Sequence, residues 1–305
     1  MRLYVMLLSL SLIWGFSFVF IEHLLGIVGV WGTVVVRCFA GAIILLPILL
    51  MRRKLFYRPA PWKALMIVGI FNAGLPWGLI ALSQTEIYSS TAAVLNALTP
   101  LFTGLIGFLL YSNALSRQQW GGIVLGFSGV VVLTGFQLQL LAPEHFVGVG
   151  TMILATICYG FASQYVKRHL HDTDVVLITT FSLLFGGLVG LIGMWITDSL
   201  HVVRVPLTID WLSLISIIGL GCLGSGMAHL LYYDLMKKGG PEFATTVTYL
   251  IPMTAIIWGK LFLDELITKN IVIGMLMILM GVYFTSRKRN VCSKANEDSN
   301  KGELA

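Results

Sequence analysis

Residues 100–130 read PLFTGLIGFLLYSNALSRQQWGGIVLGFSGV, and residues 252–282 read PMTAIIWGKLFLDELITKNIVIGMLMILMGV. The second stretch follows the first at a constant shift of 152 positions, without a gap. The matching positions are mostly proline and glycine: Pro100 and Pro252, Gly107 and Gly259, Leu109 and Leu261, Gly122 and Gly274, Gly129 and Gly281, and Val130 and Val282. We interpret the chain as two homologous halves, residues 1–140 and 141–290, followed by a disordered tail at residues 291–305.

The composition predicts an all-α integral membrane protein. Apolar residues make up 57% of the 305 residues and charged residues only 11%, whereas about a quarter of a soluble domain is charged. A helix of about 20 apolar residues crosses the hydrocarbon core of a bilayer. Ten such spans are predicted: Tyr4–Ile21, Trp31–Met51, Trp62–Ser83, Ser89–Tyr111, Trp120–Phe136, Val147–Val166, Val175–Thr197, Trp211–Leu235, Phe243–Leu263 and Ile271–Thr285.

The basic residues predict the orientation of these spans. With the N-terminus in the cytoplasm, 16 of the 20 Lys and Arg residues fall on the cytoplasmic side, as the positive-inside rule requires. Both termini are then cytoplasmic, and the net charge of +6 reflects orientation and not nucleic-acid binding. Because each half has an odd number of spans, the two five-helix repeats are inverted relative to each other. Short connections favour a multi-pass protein of a prokaryotic cell membrane.

Several motifs resemble the drug/metabolite transporter superfamily in its EamA-type branch. They include Trp14-Gly15, Arg37 in the second span, and the stretch from Tyr249-Leu250-Ile251-Pro252 to Gly274 and Gly281. The resemblance covers nearly the whole chain. It implies ten helices, a central cavity between two EamA-like repeats, and export or uptake of amino acids, related metabolites or drugs.

Three of the prolines inside predicted spans are candidates for marking the site, because a proline releases the carbonyl four residues earlier from its helical hydrogen bond. In a membrane such a carbonyl needs a partner or a wet cavity. Matching interruptions in two inverted halves point to a transport site, although a kink filled by neighbouring side chains is the alternative. The prolines and their carbonyls are Pro76 with Asn72, Pro100 with Asn96, and Pro252 with Thr248.

Polar and aromatic residues extend this candidate substrate pathway. Helical spacing places one set of polar residues on a single helix face: Asn96, Thr99 and Thr103. On the corresponding helix of the repeat, we assign a second set to one face: Thr245, Thr248, Tyr249 and Pro252. The alternative is that these polar side chains only form hydrogen bonds between neighbouring helices. The aromatic candidates for stacking on a substrate, each equally compatible with packing, are Trp14, Trp77, Tyr159, Tyr249 and Trp258.

Two ionisable residues lie inside spans, where such residues are costly and often functional. His229 could bind substrate or couple transport to protons, or it could be a neutral histidine bonded within the protein. Arg37 lies roughly 9 Å inside its span at 1.5 Å per residue. It could contact an anionic group of the substrate, or it could snorkel or form a structural pair.

Two further residue types are assigned to packing. Small residues let helices approach closely, and free cysteines behave as small apolar groups. The residues concerned are Gly122, Gly126, Gly129, Gly219, Gly221, Gly224, Gly226, Cys38, Cys158, Cys222 and Cys292.

The predicted function is a secondary active transporter, an exporter of amino acids or related small metabolites that works by alternating access. A broad-specificity efflux protein for drugs is the alternative within transport. An intramembrane enzyme and a receptor-like subunit belong to other classes, and no catalytic motif or phosphate-binding loop supports them. No cofactor or metal is implied. The expected partners are a small-molecule substrate and the lipid bilayer, and a homodimer is compatible with the sequence.

Overall fold

The structure, a computed structural model, describes residues 2–52, 60–87, 89–112, 115–133, 146–199, 210–254 and 269–286. Within these ranges the chain is helical and contains no β-strand. Two predicted features lie outside them: the C-terminal part of the ninth span, with Trp258, and the predicted tail.

Thirteen α-helices and two π-helical segments, π1 and π2, follow one another along the described chain. In chain order they are α1 (Arg2–Met51), α2 (Trp62–Gly69), π1 (Ile70–Gly74), α3 (Leu75–Ser83), α4 (Ser89–Asn96), α5 (Thr99–Tyr111), α6 (Arg117–Leu133), α7 (Phe146–His169), α8 (Val175–Ser199), α9 (Trp211–Ile217), π2 (Ile218–Met227), α10 (Ala228–Gly239), α11 (Pro241–Thr245), α12 (residues 247–254) and α13 (Lys269–Ser286).

Helix α1 contains the first two predicted spans, which meet at Gly29. The backbone of Gly29 has φ 69° and ψ −175°, a conformation that glycine adopts without the steric cost of a Cβ atom. The sequence had predicted a separate connection between residues 21 and 31. The chain instead turns at this one glycine, so almost no backbone is left outside the two spans.

Pro76 and Pro100 lie beside breaks in helical geometry. Segment π1 ends just before Pro76, and the Leu75 N–H bonds to the carbonyl of Ile70. Pro100 lies at the start of α5, after the break that separates α4 from α5. There the Thr99 hydroxyl donates to the carbonyl of Asn96 at 2.7 Å. The carbonyl predicted to be released therefore has a local partner.

Each predicted span coincides with helix in the described residues. Five helical stretches are long and apolar enough to cross a membrane on their own, and α5 and the apolar part of α13 are shorter. Helix α1 accounts for two predicted spans, and the end of the ninth is not described. The protein is therefore all-α with several membrane-spanning helices, and the count of ten and the inverted repeat stay predictions.

Large apolar side chains cover the outside of the helices. On α8, Ile192 and Trp195 are exposed, Trp195 to 72%. Apolar surface of this extent is unfavourable in water and suits contact with lipid chains.

One end of the molecule, which we call the N-terminal face, gathers charged residues from several helix ends. Arg52, after α1, lies 3.4 Å from Asp174, which precedes α8. Lys237 near the end of α10 donates to the carbonyl of Thr173. These contacts bring together helix ends that are far apart in sequence. The N-terminal face is the side that the basic residues predict to be cytoplasmic.

The glycine series forms close helix contacts, which confirms the packing assignment. Gly122 and Gly129 of α6 lie against the backbone of Gly281 and Gly274 of α13. In the same way, Gly221 of π2 lies against Ala40, and Gly226 against the backbone of Gly41. Cys38 and Cys158 are buried and free, Cys222 is partly buried, and Cys292 lies outside the described residues.

We expect Gly281→Ala to destabilise the protein because a Cβ atom there would stand 2.6 Å from the Cα atom of Gly126. Overpacking of this kind costs about 1–3 kcal/mol. Gly121→Ala on α6 is the matched control, because a Cβ atom at Gly121 meets nothing within 4 Å. Thermal unfolding in detergent should separate the two variants. Equal melting temperatures would contradict the close packing of α6 on α13.

Candidate functional site

A cavity lies among helices from both predicted halves, at the middle of their length. The space between these helices is about 580 Å³, counting its open mouth. Aromatic, apolar and polar residues line it: Trp14, Ser17, Phe18, Ile21, Arg37, Asn72, Trp77, Ile80, Asn96, Thr99, Tyr159, His229, Tyr232, Thr245, Thr248 and Ile251.

Buried apolar clusters lie at both ends of the cavity. Ile21, Ile80 and Ile251 line the end away from the N-terminal face, where they pack with Leu24 and Ala81. Between Trp14, Thr245 and the N-terminal face lies a continuous apolar core that joins α1, α2, α8, α10, α11 and α12. Its largest fully buried members on this side include Leu10 and Tyr233.

Arg37 lies in the cavity wall and does not reach the membrane surface. Its side chain is buried, its Nε donates to the hydroxyl of Ser225 at 3.1 Å, and its guanidinium carbon lies 3.6 Å from the ring centre of Trp77. A cation over an indole ring is stabilised by the ring quadrupole. Arg37 thus has two neutral partners, one from each half of the chain.

His229 forms the centre of an aromatic cluster in the same wall. Its ring centre lies 5.3 Å from that of Trp14 and 5.2 Å from that of Trp77. Its Nδ1 lies 2.9 Å from the carbonyl of Ser225. Since a carbonyl only accepts, Nδ1 carries a proton, and Nε2 is the nitrogen left to exchange a proton or bind a ligand.

Trp14 is fixed by the irregular backbone of π2. Its indole Nε1 donates to the carbonyl of Gly224 at 2.9 Å. A π-helical turn changes the ordinary hydrogen-bond pattern, and such turns are frequent at functional sites. The indole face of Trp14 therefore has a fixed position beside His229 and Tyr232.

Asn72 connects the cavity to a buried hydrogen-bond network. Its amide donates to the hydroxyl of Tyr233 at 2.8 Å, and this hydroxyl donates to Ser182 at 3.3 Å. Nearby, the hydroxyls of Tyr232 and Ser163 are 2.9 Å apart. The bond between Asn72 and Tyr233 joins the two predicted halves, and the other two bonds join helices within the second half.

The helix breaks place polar side chains in the cavity. Asn96 and Thr99 flank the α4–α5 break, and Thr245 and Thr248 flank the α11–α12 break. The Thr248 hydroxyl donates to the carbonyl of Thr245 at 2.9 Å. The two breaks therefore present short polar groups to one space.

Four predicted pathway residues in the described ranges lie elsewhere. Pro100, Thr103 and Pro252 are buried but do not line the cavity. Tyr249 points to α6, where its hydroxyl donates to the carbonyl of Ile123 at 3.0 Å. Assigning Tyr249 to the same face as Thr248 was wrong, because consecutive residues of a helix are about 100° apart.

Six lining residues were not among the candidates predicted from the sequence. Each follows a predicted residue at helical spacing, which was the signal available. Ser17, Phe18 and Ile21 follow Trp14, Ile80 follows Trp77, Tyr232 follows His229, and Ile251 follows Thr248.

A polar clasp lies at the N-terminal face side of the cavity. The Gln164 amide of α7 donates to the carbonyl of Thr103 on α5 and to Glu242 on α11, both at 2.9 Å. Lys167 lies 3.9 Å from the same carboxylate. We call Gln164, Glu242 and Lys167 the clasp, because they hold α5, α7 and α11 together.

In the described ranges, no group of three or more His, Cys, Asp or Glu side chains is arranged to hold a metal ion. The cavity lining offers aromatic faces, one guanidinium and several amide and hydroxyl groups for non-covalent contact with a ligand.

Comparison with known proteins identifies the family. The model of the EamA-like transporter family matches residues 1–135 and 146–287. The chain belongs to the EamA-like transporter family. The motifs at Trp14, Arg37 and residues 249–281 had indicated this family, and the match confirms it.

Curated relatives of this EamA-like protein carry transporter names. The uncharacterized transporter YoaV of Bacillus subtilis is 23% identical over 291 residues, with 93% of this chain and 98% of YoaV covered. The uncharacterized inner membrane transporter YedA of Escherichia coli K12 is 25% identical over 298 residues, with 92% of each chain covered. The apolar helices and these relatives together identify the EamA-like protein as a multi-pass membrane transporter.

One crystal structure supports the fold. It superposes with a TM-score of 0.71 over 93% of this chain and 96% of the other, at 17% identity. At that identity the likeness concerns the fold of the EamA-like chain and carries no information on its substrate.

Proposed function

We propose that this protein is a secondary active transporter that exports amino acids or related small metabolites by alternating access. The observation that carries the proposal is the central cavity, which is lined by residues of both halves of the chain and has buried apolar clusters at both ends. Alternating access requires a central site of this kind that can be opened to one side at a time.

The proposed movement is a rocking of the two halves, residues 1–140 and 141–290, around the cavity. The separate family matches to residues 1–135 and 146–287 support two units of similar size. The breaks at α4–α5 and α11–α12 and the segments π1 and π2 give places where helices can bend. On this proposal both termini are cytoplasmic.

His229 is our candidate for proton coupling. It lines the cavity, and its Nδ1 is paired with a backbone carbonyl while Nε2 can take up a proton. A proton bound there would lie beside Arg37 and Trp77, so it would change the charge that the substrate meets. The competing interpretation is a permanently neutral histidine that serves the aromatic cluster.

A broad-specificity efflux protein is the second candidate, favoured by the aromatic surfaces of Trp14, Trp77, Tyr159 and Tyr232. Aromatic faces bind many apolar compounds without fixed geometry. The amides and hydroxyls beside them favour a narrower choice of substrate, because polar groups fix orientation.

The test is counterflow in liposomes loaded with a labelled mixture of amino acids and other metabolites, with and without a proton gradient. We expect exchange of a few compounds, a several-fold loss in Thr248→Val, and little loss in Thr246→Val. Both hydroxyls are buried and bond a carbonyl three residues earlier, but only Thr248 lines the cavity. In His229→Gln, exchange should persist without a response to the gradient. Folded protein that exchanges nothing would overturn the proposed function.

A further inference from the structure

Arg37 is a buried cation whose known partners are neutral. Its side chain is 5% exposed, and the contacts to Ser225 and to the ring of Trp77 use one N–H group and one face of the guanidinium. In the described ranges, no carboxylate forms an ion pair with it. A guanidinium has five N–H donors, so it retains capacity for a further acceptor.

A buried charge is costly unless a counter-charge and hydrogen bonds compensate it. A hydroxyl and an indole ring stabilise Arg37 only in part. The group that completes its environment is an anion, and a carboxylate fits the planar guanidinium with two parallel hydrogen bonds. Since Arg37 lines the cavity, a bound substrate can bring this carboxylate.

The rest of the lining limits the remainder of the substrate. Arg37 is the one residue with a permanent charge among the lining residues that the structure describes. The groups that face it are neutral or titratable: Trp77, Tyr159, His229 and Cys38. No described lining residue is an acid that would balance an ammonium group, and the amides of Asn72 and Asn96 are neutral.

The apolar part of the cavity lies directly beside the cation. Trp77 contacts Arg37 on one side and His229 on the other, and Trp14 lies 5.3 Å from His229 between ring centres. A substrate whose carboxylate binds Arg37 therefore places its body against indole surfaces. Aromatic or branched apolar bodies gain most from such contact.

We propose that the substrate of this cavity is a small organic anion with an apolar or aromatic body and without a cationic group, whose carboxylate binds Arg37. This inference rests on the proposed transport function, keeps its small-metabolite class and replaces amino acids by carboxylic acids as the preferred substrates. It selects carboxylic acids over zwitterionic amino acids and over cationic drugs. Arg37 then determines specificity by charge, and Trp77 by shape.

Three compounds of matched size test the proposal: 3-phenylpropionate, phenylalanine and phenethylamine. They carry, respectively, a carboxylate alone, a carboxylate with an ammonium group, and an ammonium group alone. By isothermal titration calorimetry of the purified full chain, 3-phenylpropionate should bind at least about tenfold more tightly than either of the others. In Arg37→Gln this preference should disappear, and Arg37→Lys should restore part of it.

Arg52→Gln is the control, because Arg52 is exposed and pairs with Asp174 on the N-terminal face, away from the cavity; it should leave all three affinities unchanged. If Arg37→Gln does not fold, the order of the three binding affinities in the unsubstituted protein still tests the proposal. Equal affinities, or tighter binding of phenylalanine, would overturn the anion proposal while counterflow of other metabolites kept the transport function. No binding of any compound, together with no exchange in liposomes, would overturn both.

Discussion

Replacing Ser225 by alanine is expected to lower the stability of the folded protein by about 1–3 kcal/mol and to weaken ligand binding in the cavity. The Ser225 hydroxyl donates to the carbonyl of Leu220 at 2.9 Å and accepts from Nε of Arg37 at 3.1 Å. The first bond satisfies a carbonyl of π2, and the second holds the buried guanidinium. Alanine removes both bonds and leaves a charged donor without its partner, the more costly of the two losses.

Ser216→Ala provides the matched control for Ser225→Ala. Ser216 precedes π2, on α9, and is buried, but its hydroxyl has no hydrogen-bond partner in the described residues. Removing an unsatisfied buried hydroxyl should be neutral or slightly stabilising. Thermal unfolding in detergent measures both variants. Similar melting temperatures would show that the bonds of Ser225 do not hold π2 and Arg37.

Glu242→Ala should open the cavity toward the N-terminal face. The Glu242 carboxylate is 8% exposed, accepts from Gln164 and lies close to Lys167. Its loss leaves the Gln164 amide with one acceptor fewer and removes the only charge of α11 in the clasp. A charge-assisted hydrogen bond contributes about 1.5–3 kcal/mol, so the fraction of molecules open at this face should rise about tenfold or more.

Labelling of a cysteine at position 245 measures this opening. Thr245→Cys lies on the cavity side of the clasp, and the native cysteines would be replaced by serine. A membrane-impermeant maleimide applied from the N-terminal face should react faster in Glu242→Ala than in the parent. Glu86→Ala is the control, because Glu86 is exposed and follows α3 at the other end of the bundle. An unchanged rate would mean that the apolar core alone keeps this face closed.

The sequence was sufficient for the helical membrane fold and for part of the site. Residues at helical spacing on polar stripes, such as Asn96, Thr99 and Thr248, do line the cavity. So do Trp14, Trp77 and Tyr159, although the sequence left packing equally open. Spacing along one helix reports which residues share a face, and this information is local.

Contacts between distant segments could not be predicted in the same way. Arg37 and Ser225 are 188 positions apart, and no periodicity relates them. The clasp was missed for the same reason, since Gln164 is 61 positions from Thr103 and 78 positions from Glu242. Tyr249 shows the limit within one helix: a shift of one residue turned its side chain from the cavity to α6.

The close seam between α6 and α13 has a practical consequence for engineering. Neither helix contributes a described residue to the cavity lining, while Gly122, Gly129 and Gly281 leave no room for side chains where the two helices meet. A mutant library intended to change substrate choice should therefore leave the seam untouched and vary α1, α3 and α10. Conversely, a chimera with another member of the family should inherit both seam helices from one parent, because mismatched small residues would prevent assembly before specificity could be measured.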